Sequence, residues 1–496
     1  MATATRLVPQ CYRDSVSLMQ FSHDFEARPG VTRASALMAT PANLALLREA
    51  GLLAEPPPPS PDDILLVVVG EGELEALLDE AERALRAPPA PPAGGEAAGK
   101  APPASIREAT RADPALDFAL VSVPGDYAAG EALKALARGL DVMLFSDNVS
   151  LAQEVLLKTT AGRLGRLVLG PDCGTAILDG TALGFANALR RGPVGVVSAS
   201  GTGLQEVTSL LDRWGVGVSQ AYGTGGRDLQ DAVGGRSALA CIDRLAADPA
   251  TRCLLFVGKP PAPAVRERLL ARFATLPFPA VACFLGEGKT LAEAARETYR
   301  LVRGAEPPAE VLPGPRAAPE RPRRAGFLRG LYCGGTLCAE AAWLCARAGL
   351  ATRSNVHVPG VLHLDDAWRS EGHTFVDLGE DEFTRGRPHP MIDPSLRSAR
   401  LLEEAARPDT LRLLTDVVLG HGAHADPAGL LAEAALSLAP GAGAAGVEVP
   451  EVWACVTGTE ADPQGWSRSV RTLTDAGIRC FGSNAGMVAE ALRTLP

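Results

Sequence analysis

The sequence predicts an α/β protein built from several doubly wound parallel-sheet domains, and three observations carry that reading. The chain has 496 residues, several times the roughly 150 residues of a single domain. Short, nearly all-apolar runs alternate with Ala- and Leu-rich helical stretches, the pattern of parallel strands covered on both faces. Two Pro-rich stretches break the alternation into blocks.

In chain order, the strand-like runs before the second break are Ile64–Val69, Phe118–Val123, Val142–Ser146, Leu167–Leu169, Val194–Ser198, Gly217–Ala221, Cys253–Val257 and Val281–Phe284. After it come Gly330–Tyr332, Thr374–Asp377, Leu413–Val418, Val452–Val456 and Arg479–Phe481. Helical segments such as Gly130–Arg138 and Gly203–Arg213 follow most of them, giving the strand–helix–strand units of doubly wound sheets. Ligands in such sheets sit at the carboxyl ends of strands. The breaks, Ala87–Ala104 and Gly304–Arg324, are rich in Pro, Ala and Gly and have no apolar face to bury; they are expected to be exposed and semi-extended. The expected division is therefore a nucleotide-type domain over 1–190 with an insertion at 87–104, a second domain over 191–303, a linker at 304–325 and a third domain over 326–496.

Composition narrows the function. A net charge of −10 argues against nucleic acid as a partner, because phosphate backbones demand a basic footprint. With 46% hydrophobic and 21% charged residues, general disorder is excluded. No run approaches the roughly 18 apolar residues of a membrane span. The first residues, with Arg6, Arg13 and Asp14 and no continuous apolar core, do not resemble a signal peptide; a cytoplasmic location is expected. The ten cysteines are scattered, with no C-x-x-C and no zinc-type Cys/His pairing, so they read as buried free thiols.

Glycine-rich junctions are the candidate anion sites. An apolar strand ends at Ser198, then Ser200, Gly201, Thr202 and Gly203 lead into a helix. Orphan N–H groups and the macrodipole make such a start a site for an oxyanion; alternatively, Ser200 or Thr202 merely caps the helix. Leu331-Tyr-Cys-Gly-Gly-Thr repeats the arrangement with Gly334, Gly335 and Thr336. So does Leu413–Gly422, whose Gly420-His421-Gly422 turn and His424 precede a helix near Pro427. Two facing helix starts would hold one phosphoryl group, each contributing up to ~2 kcal/mol when partly buried. His421 and His424 are the best placed of the seven histidines for anion contact or proton transfer. Cys173 beside Gly174 is either a nucleophile or a structural thiol. The loop Thr374–Pro394 carries Asp377, Glu380, Asp381, Glu382, Arg385, Arg387, His389 and Asp393. It reads as a solvated surface, as an oxyanion clamp by Arg385 and Arg387, or as a divalent-metal site. No metal motif occurs among the histidines, and there is no P-loop.

The segment from Phe118 to about Arg303 resembles the α chain of succinyl-CoA synthetase, through Val-Pro-Gly-Asp-Tyr (123–127), Leu-Gly-Pro-Asp-Cys-Gly (169–174), Val-Gly-Val-Val-Ser-Ala-Ser-Gly-Thr (194–202) and Tyr-Gly-Thr-Gly-Gly-Arg-Asp (222–228). The part after the second linker resembles the carboxyl-terminal ligase domain of its β chain, with Asp377-Leu-Gly and Gly420-His-Gly at corresponding loops. Both halves in one chain, with Phe383-Thr-Arg-Gly-Arg-Pro-His-Pro-Met-Ile-Asp, resemble the FdrA family. The resemblance implies a CoA-binding-like Rossmann domain over 1–190 and two flavodoxin-like ligase domains. It also implies that Ser198–Gly203 and Gly420–His424 are the two phosphate-holding helix starts.

Departures from the synthetase pattern are equally informative. The Gly-His-Ala-Gly-Ala kind of motif for the phosphorylated histidine is absent, Lys259 stands where its supporting carboxylate would be, and there is no ATP-grasp domain. The FdrA resemblance implies one subunit of oxamate carbamoyltransferase, which converts oxalurate and phosphate to oxamate and carbamoyl phosphate in allantoin catabolism. Phosphate is then a co-substrate, other subunits are partners, and this chain has no ATP site, with CoA binding left open. His421 and Lys259 become the candidate catalytic groups, with Arg385 and Arg387 for the substrate carboxylate. The alternatives are an acyl-CoA ligase subunit or a non-catalytic ligand-binding, regulatory subunit.

Overall fold

Apolar runs and their helices assemble into four sheets among the described residues. The structure is a computed structural model, and it describes residues 2–495 apart from 12, 14, 50, 51, 54–56, 59, 61, 88–101, 310, 311, 313–325, 385–387 and 439–448. Most of both Pro-rich linkers thus lies outside the described residues.

The first block contains β1 (Ala2–Val8), α1 (Ser15–Glu26), β2 (Val31–Met38), α2 (Pro41–Glu49), β3 (Ile64–Gly70) and α3 (Leu74–Arg86). β3 lies between β1 and β2 and runs antiparallel to both, with Val67 opposite Thr5 on one side and Ser35 on the other. It is apolar throughout because both faces are covered: Leu66 and Val68 face Leu18 of α1 and Leu78 of α3, while Leu65 and Val67 face Leu44 and Leu47 of α2. Two-sided burial, not parallel pairing, makes that run look like a parallel strand.

Next come α4 (Ile106–Ala112), β4 (Phe118–Val121), α5 (Gly125–Leu136), β5 (Asp141–Leu144), α6 (Leu151–Arg163) and β6 (Val168–Leu169), whose strands form a small parallel sheet. A single Rossmann-type domain over 1–190 is therefore corrected: an antiparallel sheet and a separate parallel one occupy that range. The following strands already belong to a third sheet.

That third sheet is the first of two large lobes. It holds β7 (Thr175–Leu178), β8 (Thr181–Gly184), β9 (Arg191–Ser198), α7 (Gly201–Arg213), β10 (Val218–Gly223), α8 (Arg236–Ala247), β11 (Cys253–Gly258), α9 (Pro263–Ala274), β12 (Ala280–Phe284) and α10 (Leu291–Arg303). The order is β12-β11-β9-β10-β7-β8, parallel from β12 to β10 and antiparallel where β7 meets β10 and β8. The second lobe holds β13 (Phe327–Tyr332), α11 (Gly335–Arg347), β14 (Thr352–Ser354), β15 (Leu362–His363), β16 (His373–Asp377), α12 (Asp381–Thr384), α13 (Ser395–Ala405), β17 (Thr410–Val418), α14 (Pro427–Leu436), β18 (Glu451–Thr457), α15 (Trp466–Asp475), β19 (Arg479–Phe481) and α16 (Asn484–Arg493). Its strands are all parallel, in the order β15-β14-β16-β13-β17-β18-β19.

The lobes share one core, in which Leu204 and Val207 of α7, Leu291 of α10, Leu337 and Ala341 of α11, and Met487 of α16 belong to a single cluster. Two buried carboxylates lock it reciprocally. Glu206 on α7 accepts from Asn484 N, the first residue of α16, at 3.0 Å. Glu340 on α11 accepts from Leu291 N, the first residue of α10, at 2.7 Å. Each lobe thus supplies a carboxyl acceptor to a helix N-terminus of the other, where orphan N–H groups need one. Asn484 ties the two together by also donating Nδ2–H to Glu340 Oε2.

Candidate functional site

Two strand-to-helix corners meet where the lobes join. Each lies at a topological switch point, the position where strand order reverses and ligands bind: β9 sits between β10 and β11, and β13 between β16 and β17. In the first corner Ser200 is the extended N-cap of α7, and its Oγ accepts from Gly203 N at 3.0 Å. Ser198 Oγ braces it by donating to Ser200 O and accepting from Ser200 N. Ser200 therefore caps the helix as the simpler sequence reading had it. It also reaches across: Ser200 Oγ and Thr336 Oγ1 of α11 are in hydrogen-bond contact. A methyl group placed on Gly334 would lie 2.8 Å from Thr202 Cγ2, and one on Gly203 would lie 3.1 Å from Thr336 Cγ2. The two helix starts are nose to nose. First-turn N–H groups of Gly201, Thr202, Gly335, Thr336 and Leu337 find no acceptor among the described residues.

The second corner is braced differently. Asp416 of β17 accepts from Cys333 N and Gly334 N, both at 2.8 Å. It is fully buried beside Arg397, whose Nη1 lies 3.7 Å from its Oδ1 and also donates to the Asp416 carbonyl and to Cys333 Sγ. Burial pushes the Asp416 carboxyl up, and Arg397 with the two N–H groups opposes this. Asp377, at the end of β16, presses its Oδ2 against Gly335, where no Cβ would fit, and its Oδ1 accepts from Gly379 N at 2.8 Å. Burial, then Glu380 and Asp416, raise its carboxyl to about 8 against the Gly379 N–H and Lys259. A methyl on Gly379 would meet His389 Nε2 at 2.6 Å and Asp377 Oδ1 at 3.1 Å, so the imidazole adjoins this carboxyl. His389 Nδ1 accepts from Met391 N and the ring leans on Phe185, while burial draws its pKa down to about 4 and keeps it neutral.

The other expected residues divide. Lys259 is exposed just beyond β11, and its charge acts on Asp377 and on Asp172, whose carboxyl burial raises to about 6. Gly420–His424 is not a helix start. α14 begins at Pro427, and Asp426 caps it by accepting from Gly429 N. Its Gly420 N donates to Gln464 and His421 N to Ala186 O, so the turn docks the second lobe onto residues 186–187 of the first. Gly422 lies against Phe185, and His424 N donates to Met391 O. The turn facing Ser200 is thus Gly334–Thr336, and the pairing with Gly420–His424 is corrected. Cys173 is a structural thiol: it donates to Gly223 O at 3.2 Å and burial pushes it up to about 12. Arg385 and Arg387 lie outside the described residues. No group of three or more His, Cys, Asp and Glu side chains among the described residues is placed to hold a metal, and no helix is long and apolar enough to cross a membrane.

Asp416 is the clearest residue that sequence reasoning missed, although an acidic side chain inside the apolar run Leu413–Val418 is itself a signal of a buried, partnered charge.

The second lobe of this α/β architecture is similar to CoA-ligase domains. Residues 331–494 match the family model described as CoA-ligase, and residues 1–102 match that described as AllF, heavy metal-associated domain. The latter range contains the antiparallel β1-β3-β2 sheet. The chain is 39% identical over 512 residues to the uncharacterized protein YahF of Escherichia coli (strain K12), covering 99% of this chain and 98% of that one; it belongs to the YahF family. It is also 29% identical over 161 residues to the α subunit of succinate–CoA ligase [ADP-forming] of Aquifex aeolicus (strain VF5), covering 31% of this chain and 51% of that subunit. With the ADP-forming sulfoacetate-CoA ligase subunit SauD of Bilophila wadsworthia it shares 27% identity over 162 residues, 31% of this chain and 54% of the subunit. The chain thus spans about half the length of the ligase subunits it matches.

Proposed function

We propose that this chain is an FdrA-type subunit of a carbamoyl- or acyl-phosphate-forming transferase, acting on oxalurate and phosphate to give oxamate and carbamoyl phosphate. The observation that carries the reading is the contact between Ser200 of α7 and Thr336 of α11, which brings two sets of unpartnered first-turn N–H groups to one point. Opposed helix starts with hydroxyl groups between them form a receptor for one tetrahedral dianion. The same donors would stabilise charge as it develops on a carbamoyl oxygen. Lys259 is the described cation suited to the substrate carboxylate, and His421, displaced from the corner, is no longer the favoured proton carrier. The AllF match over 1–102 supports a place in allantoin breakdown, and the α-subunit relatives support an enzyme of more than one subunit; phosphate would be its co-substrate.

The test is phosphorolysis. The chain purified with its natural partner subunits should form carbamoyl phosphate from oxalurate and phosphate, and Ser200→Ala with Thr336→Ala should abolish it. Absence of carbamoyl phosphate from the wild-type complex would overturn the reading. A second reading, an acyl-CoA ligase subunit taking its ATP chemistry from another chain, is favoured by the CoA-ligase match over 331–494. Stabilisation by millimolar CoA in a thermal melt supports that reading, and no shift removes it.

A further inference from the structure

Asp377 is deeply buried and, among the described residues, incompletely partnered. The residue is 5% exposed. Its Oδ1 is held by Gly379 N, its backbone by Asn355, which accepts from Asp377 N and donates to Asp377 O, and its Oδ2 faces the first turn of α11 with no hydrogen-bond partner among the described residues. Asn355 also donates to Glu382, so its orientation is fixed from both sides. A rigid carboxyl is therefore aimed at the same helix start that meets Ser200.

An ionised carboxylate in that position would repel a phosphate dianion, whereas a protonated one would donate to it. The surrounding charges bear on that balance. Glu380 on the same loop and Asp416 on β17 favour the neutral acid, and Lys259 beyond β11 favours the anion. His389 is neutral, and the N–H groups of α11 stabilise the carboxylate once the proton has left. The carboxyl is thus able to bind as an acid and to release its proton without leaving its seat.

We propose that Asp377 is the proton-carrying residue of this site, the general acid for the departing nitrogen; the assignment rests on the transferase reading above. A phosphate oxygen bonds to the carbamoyl carbon and the bond from that carbon to the oxamate nitrogen breaks. Its electron pair goes to nitrogen, which takes the Asp377 proton. The proton carried by hydrogen phosphate then returns to Asp377, so the carboxyl ends as it began. In the reverse direction the same group acts as base on the oxamate nitrogen.

Two measurements test the assignment. Sulfate, a dianion throughout the neutral range, is titrated into the isolated chain between about pH 6 and about pH 9, a window that spans titration of a raised carboxyl. Its affinity should fall about tenfold as pH rises, and Asp377→Asn or Asp377→Ser should make it nearly independent of pH. In the complex with partner subunits, Asp377→Asn should lower kcat on oxalurate by about 10²–10⁴-fold and leave the KM for phosphate almost unchanged. Transfer from 4-nitrophenyl carbamate, whose leaving group needs no proton, should lose far less. Persistence of the pH dependence in both variants, or equal losses on the two substrates, would overturn the assignment. If the wild-type complex makes no carbamoyl phosphate, the transferase reading fails, and the sulfate series still decides whether Asp377 carries the proton.

Discussion

The two lobes place the same kind of turn at the same point of their sheets and equip it in opposite ways. In the first, Ser200 caps α7 with its own hydroxyl, Ser198 braces it, and the nearby charge is the exposed Lys259. In the second, the N-cap Gly334 has no side chain to offer, and Asp416 reaches over from the adjacent strand to take the N–H groups of Cys333 and Gly334. The glycine is required there, because a side chain would collide with Thr202 from the opposing helix. The difference shows that a corner can be braced locally and neutrally or remotely by a buried charge. Only the second arrangement sets a desolvated carboxylate and guanidinium inside the lobe, so the two corners should respond very unequally to losing their brace.

Asp416→Ala gives the largest expected effect. It leaves Arg397 buried without its anion, which costs about 3–5 kcal/mol, whereas Ser200→Ala removes one cap at about 1 kcal/mol and the bridge to Thr336 at about 1 kcal/mol. Urea unfolding of both variants against wild type measures the contrast, and equal losses would break the comparison. A smaller effect is expected from the glycines. Alanine at position 335 would lie 2.3 Å from Asp377 Oδ2, whose carboxyl is held by Gly379, while alanine at 203 would meet Ser200 Oγ at 2.7 Å, a less severe overlap. Overpacking at 335 should cost about 1–3 kcal/mol and clearly more than at 203 in thermal melts; the reverse order would show that the second corner is the more yielding one.

How much of this was legible depends on how much of each structure is local. The central strands β3, β9, β11, β13 and β17 were readable because burial on both faces leaves an uninterrupted apolar run. Strands β8 and β15, exposed at sheet edges, carry no such signature. The Ser198–Gly203 corner was readable from hydroxyls and glycines at a strand end. Its true partner was not, because Gly334-Gly-Thr and Gly420-His-Gly have the same turn chemistry. Only strand order separates them: the chain reverses direction across the sheet at β13, whereas β17 and β18 are simple neighbours. The role of Asp377 was also hidden, since its seat against Gly335 depends on β16 lying beside β13.

The contact between Ser200 and Thr336 offers the finest measure of the comparison, because it is where the neutral corner and the charged one touch. Each hydroxyl has a different second duty: Ser200 Oγ also accepts from Gly203 N, whereas Thr336 Oγ1 has no other protein partner recorded among the described residues. Ser200→Ala should therefore cost the cap and the bridge, and Thr336→Ala the bridge alone. The double variant should then lose less than the sum of the singles, with a coupling energy of about 1 kcal/mol. Urea unfolding of the four proteins in the cycle measures it. A coupling near zero would mean that the lobes are aligned by Glu206, Glu340 and the apolar core alone, with the two hydroxyls left to act on the anion independently.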